Sequence, residues 1–143
     1  MGGHRGVIEE RRRDRALVAR YPDKATHDIE RNAALLMVDE VTATAEKRIG
    51  ELKEQRKAFD LEMEFYKKDP NKAPMALRRK IGENEDSIAE LQRFVLSQDQ
   101  EKRKVHQRFD TELAKLRVLW EAYKPVSLPG ASAAQPAAPS AAR

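Results

Sequence analysis

Asp69-Pro70-Asn71-Lys72-Ala73-Pro74 decides the fold. Two prolines and an asparagine within six residues interrupt any helix and predict a turn at 69–74. On either side the chain runs long without proline: 24–68 before the turn and 75–124 after it, with Gly50 and Gly82 the single glycine in each. Both stretches carry a heptad pattern. In the first, one row is Leu35, Thr42, Ile49, Arg56, Met63 and the other Val38, Ala45, Leu52, Phe59, Tyr66. In the second, the rows are Ile81, Ile88, Val95, Lys102, Phe109, Leu116, Tyr123 and Leu77, Asn84, Leu91, Gln98, Val105, Glu112, Leu119. Rows three and four apart that repeat every seven form one seam on an α-helix and require a partner helix. The short turn supplies that partner in the opposite direction. Residues whose numbers add to about 143 are then expected to face each other: Tyr66 with Leu77, Leu52 with Leu91, Val38 with Val105. The expected fold is all-α, a long antiparallel two-helix coiled-coil hairpin.

Outward from the hairpin, Val7 to Arg20 contains no breaker and predicts a short Arg-rich helix within 7–22, after a loose glycine-bearing start at 1–6. Tyr21-Pro22-Asp23 separates it from the first arm and leaves Asp23 placed as an N-cap. Pro125 to Arg143 is Pro, Ala, Ser and Gly with almost no large apolar residue, so a disordered tail is expected at 125–143. A two-helix hairpin buries little. Apolar residues outside the seam gather at its open end: Ile29, Ala33, Leu36, Met37 and Val41 on one arm, Leu113, Val118 and Trp120 on the other. The N-terminal helix, with Ile8, Leu17 and Val18, can fold against this base as a local three-helix bundle; self-association as a homodimer covers the same surface. Leu61 and Phe65 fall outside any seam.

Composition excludes several classes. The 143 residues hold 28 Lys+Arg against 24 Asp+Glu, only 6% aromatics and no cysteine, so no disulfide framework or thiolate chemistry is available. No apolar run is long enough to span a membrane. The net charge of +4 sits at the ends: 1–22 carry six Arg against Glu9, Glu10 and Asp14, whereas 23–124 hold 21 basic and 21 acidic residues. The isoelectric point of 9.4 therefore reports mainly Arg11, Arg12, Arg13 and Arg15. Nucleic-acid binding through these four is the alternative functional reading, disfavoured because the long body has no basic stripe. Attachment of the same helix to anionic lipid ranks last, for want of a large apolar face beside the arginines.

The remaining constellations read as structural. His4, His27 and His106 have no metal-site spacing, and His27, on a first helical turn, is expected to be solvated. The acidic run Glu83-Asn84-Glu85-Asp86 lacks a cleft, with Arg78, Arg79 and Lys80 as expected salt partners on the same helix. Arg56, Gln98 and Lys102 interrupt the seam, where long polar stems are expected to reach out to water and set register. The aromatics Phe59, Phe65, Tyr66, Phe94, Phe109, Trp120 and Tyr123 are mostly on seam rows and are expected in the core. No phosphate loop or nucleophile motif occurs. No catalytic residue, metal or cofactor is assigned, and a non-enzymatic structural or protein-interaction module is expected.

Arg12-Arg13-Asp14-Arg15-Ala16-Leu17, Tyr21, and Asp28-Ile29-Glu30-Arg31-Asn32-Ala33-Ala34-Leu35, then Glu64-Phe65-Tyr66-Lys67 before the proline turn and Leu77, and Arg108-Phe109-Asp110 form a moderately specific pattern over about residues 11–120. It resembles the C-terminal helical region of uncharacterised proteobacterial envelope proteins. Those carry a signal peptide and a small β-rich domain ahead of a charged linker and this region. The resemblance implies export to the periplasm and no catalysis, and it supplies no site residues. The sequence departs from the pattern in beginning just before the Arg-rich helix. A start at a downstream Met of a longer protein implies the periplasm; a true start at Met1 implies the cytoplasm.

Overall fold

The computed structural model describes residues 2–123, with side chains from Arg5 onward; the tail expected at 125–143 lies outside the described residues. All regular structure among them is helical: α1 (Gly2–Arg20), α2 (Lys24–Met63) and α3 (Met75–Ala122), with two short 3₁₀ turns, Glu64–Tyr66 and Pro70–Lys72, between α2 and α3. Helix α1 takes in the glycines where a loose start was expected. A glycine disfavours a helix interior by only about 1 kcal/mol, and the first turn asks least of it.

Asp23 starts α2. Its Oδ1 accepts the Thr26 backbone N–H at 2.8 Å and the Thr26 hydroxyl at 2.7 Å, so the N-cap placed by sequence is present. At the other end α2 stops at Met63, ahead of the expected Lys68. The chain tightens there into the 3₁₀ turn, with the Lys67 N–H reaching Glu64 O at 3.4 Å. Asp69 N–H to Tyr66 O, Lys72 N–H to Asp69 O and Ala73 N–H to Pro70 O, all 3.0–3.1 Å, carry the chain through the prolines to α3. Ala73 and Leu77 are buried just beyond, which pins the connection to the core.

The chain divides into two compact units, Asp28–Thr111 and the pair Met1–His27 with Glu112–Arg143. The core of the first is Ala45, Leu52, Ala73, Leu77, Val105 and Phe109, with the polar Asn84 buried among them. All ten seam positions named on the first arm are buried or half-buried, and so are all but Tyr123 of the fourteen on the second. In the second unit Tyr21, His27, Leu116 and Leu119 are buried, Leu116 completely.

Candidate interaction surfaces

In the unit formed by the chain's two ends, burial gathers polar chemistry that the sequence reading missed. His27 is fully buried, correcting the expected solvated histidine. Its Nε2 donates to Glu112 Oε1 at 2.9 Å, and its ring meets Tyr21 edge-on at 4.8 Å between centroids. The Trp120 indole N–H donates to the Tyr21 carbonyl at 2.8 Å. Lys115 Nζ lies 3.1 Å from Asp14 Oδ1 on α1, a charge contact without hydrogen-bond alignment. Leu17 and Val18 are half-buried, as the expected packing of α1 requires. His27 stands three helical turns before Val38, on the same side of α2. The seven-residue rows extended backward reach Lys24, Asp28 and Arg31 and miss it; an eleven-residue step from Val38 was the available signal.

Arg11, Arg12, Arg13 and Arg15 are all exposed on α1. At about 100° per residue, Arg11, Arg12 and Arg15 share one side of α1 with Ile8, while Arg13 projects from another. Arg12 is drawn back to Glu9 at 3.7 Å. Three of the four arginines thus form a short cationic face confined to α1.

In the unit Asp28–Thr111, polar groups link α2 to α3 at intervals. Arg31 Nη2 lies 2.8 Å from Asp110 Oδ1 as an ion pair and donates to His106 Nδ1 at 2.9 Å, which makes that ring nitrogen the acceptor. Lys102 Nζ meets Asp39 at 2.9 Å, and Arg56 contacts Asp60 at 2.8 Å and Glu85 at 3.1 Å. The hydrogen bond it donates to Asp60 holds the Arg56 guanidinium above its ordinary pKa. Arg56 and Lys102 thus reach outward from the seam into ion pairs, as long stems at such positions do. Glu85 pairs across to Arg56, and no ion pair joins Arg78, Arg79 or Lys80 to the run 83–86. Those same-helix partners were expected on spacing alone, and the cross-helix guanidinium is the nearer cation. Asn84, only 3% exposed, donates from Nδ2 to Leu52 O at 2.9 Å and to Gln55 Oε1 at 3.3 Å. A polar residue at an inward heptad position was the available signal for this bond.

Large apolar side chains remain uncovered. On α2 these are Ile29, Leu36, Met37 and Val41, with Met37 69% exposed; Phe94 and Leu96 on α3 are exposed as well. Phe65, Phe94 and Tyr123 thus lie outside the core expected for the aromatics. Phe65, at 88%, is the most exposed of the large apolar side chains, with Leu61 and Met75 also open. Among the described residues no group of three or more acidic or histidine side chains could hold a metal ion, and no helix is long and apolar enough to cross a membrane. No protein family, curated protein or solved structure matches the chain.

Proposed function

We propose that this chain is a non-enzymatic structural or protein-interaction module, a helical-hairpin spacer or scaffold that offers an apolar helix face to a protein partner or to a second copy. The observation that carries the reading is the uncovered set Ile29, Leu36, Met37 and Val41 on α2. Four large apolar groups within four helical turns form a contiguous exposed patch of the kind that marks association sites.

The proposed scaffold is an antiparallel coiled-coil pairing of α2 with α3. Its support is the order of the cross-links: residues 31, 39 and 56 on α2 meet 110, 102 and 85 on α3, rising numbers against falling ones. These pairs centre the reversal near Pro70–Asn71, about a residue earlier than the sequence placed it. The early tightening of α2 into a 3₁₀ turn accounts for the shift. Asn84 Nδ2 bonds the Leu52 backbone carbonyl, one heptad before the Leu91 expected opposite that side chain. Nucleic-acid binding is the weaker reading, since the cations of α1 are not continued as a stripe along residues 23–124, where 21 basic and 21 acidic side chains balance.

Light scattering after gel filtration, at low and high salt, tests the proposal. A mass near 16.3 kDa at both salts means the α2 patch is open to a different protein. Twice that mass at both salts means a second copy covers it. Dissociation of the dimer by salt alone would count against an apolar contact, because screening weakens charge pairs and leaves hydrophobic burial intact.

A further inference from the structure

The turn between α2 and α3 combines protruding apolar groups with an excess of cations. Residues 61–80 hold Lys67, Lys68, Lys72, Arg78, Arg79 and Lys80 against Glu62, Glu64 and Asp69, a local +3 where the rest of residues 23–124 carries −3. Of these cations only Lys67 has a carboxylate within reach, Glu64 at 3.8 Å. Arg78 lies on the Met75 sulfur at 3.0 Å instead. Phe65 is held outward by ordered backbone: it sits in a 3₁₀ turn whose neighbour Tyr66 faces inward, followed by hydrogen bonds at Asp69, Lys72 and Ala73. Leu61 stands one helical turn before it and is also exposed. Among the described residues no packing contact accounts for a phenylalanine held at 88% exposure beside Lys68 and Lys72, neither of which has a carboxylate within salt-bridge distance.

We propose that this turn docks on an anionic lipid bilayer, with Phe65 and Leu61 entering the interface and the lysines and arginines engaging the headgroups. Apolar side chains beside a cluster of cations are the two components of reversible membrane-surface binding. Long cationic stems reach headgroup phosphates while their methylenes follow the inserted ring. Nucleic acid fits less well, since one exposed phenylalanine does not make a stacking platform. The inference goes beyond the protein-interaction reading: it names a different surface and a partner that is not protein.

The test is co-sedimentation of the full chain with phosphatidylcholine vesicles with and without phosphatidylglycerol, at rising salt, with duplex DNA as a competing polyanion. The expected result is binding only to the anionic vesicles, weakening with salt. Phe65→Ala is expected to reduce the partition coefficient about fivefold, and Phe65→Leu to retain it. Lys67→Glu with Lys68→Glu and Lys72→Glu is expected to reduce it by about a hundredfold or more. The corresponding Gln triple variant is the milder form should the Glu variant lose helicity by circular dichroism. Absence of native binding to anionic vesicles, equal binding to neutral ones, or turn variants that bind like the native chain would each overturn the proposal. So would loss of vesicle binding confined to charge reversal at Arg11, Arg12, Arg13 and Arg15, or duplex DNA binding at the turn without vesicle binding.

Discussion

Asp23 closes the start of α2 with a single carboxylate oxygen that accepts both the backbone N–H and the hydroxyl of Thr26. Those two hydrogen bonds, the backbone one first, hold its pKa below the ordinary 3.8. A carboxylate depressed in the folded state stabilises fully above its unfolded value and loses that contribution as pH falls through the folded one. Asp23→Ala is therefore expected to lower the thermal midpoint at neutral pH. The difference from the native chain is expected to shrink between pH 3.8 and the lower folded-state value, as a melting series in acid would record. Asn84 is the second informative residue. Its amide bonds Leu52 O and Gln55, yet its own Oδ1 is buried without a hydrogen-bond partner. Leucine there removes an unsatisfied acceptor, and Asn84→Leu is expected to gain about 1 kcal/mol. It also deletes the bond that distinguishes one register from its heptad neighbours. Broader or doubled amide resonances in a more stable variant are the expected signature; sharp single resonances would show that packing alone sets the register.

Elements differ in how firmly they are held. Leu52 is buried where α2 faces α3, and Leu52→Asp exchanges packed methyl groups for a desolvated charge. The expected cost is about 3–5 kcal/mol, seen as a fall in ellipticity and in thermal midpoint. Helicity that survives this change would deny Leu52 its place in the seam. Helix α1 depends on a different set of contacts. Asp14 meets Lys115, and the residue after α1, Tyr21, is gripped through its carbonyl by Trp120 and through its ring by His27. The heptad rows on both arms were legible because period-seven spacing tracks burial directly, even at Thr42, Arg56, Gln98 and Lys102. The ends of the elements were less legible. Glycine at a helix start and the tightening beyond Met63 depend on small free-energy differences that spacing does not encode.

At the scale of the whole molecule, large apolar groups are left over after the inward-facing helix positions are filled. Leu36 and Met37 are already exposed, so Leu36→Ser with Met37→Ser is expected to shift stability by less than about 0.5 kcal/mol. The same pair is expected to abolish association through α2, read as a change in solution mass or in binding of a partner. A large loss of stability in the isolated monomer would instead place these side chains in a folding contact. The separation matters because Leu52→Asp removes fold and binding together, whereas the Leu36/Met37 pair removes binding alone.

The sequence by itself determined the helical class, the proline turn, the Asp23 cap and which side of each long arm turns inward. Each of these follows from backbone sterics or a fixed helical period acting over a few residues. Only the tertiary structure decided that His27 is buried against Glu112, that Asn84 bonds the Leu52 carbonyl, and that Arg56 takes Glu85 as its cross-helix partner. Those outcomes depend on which distant atoms arrive within hydrogen-bonding distance. A shift of one or two residues in register reassigns such partners while leaving the heptad pattern, and so the sequence signal, unchanged.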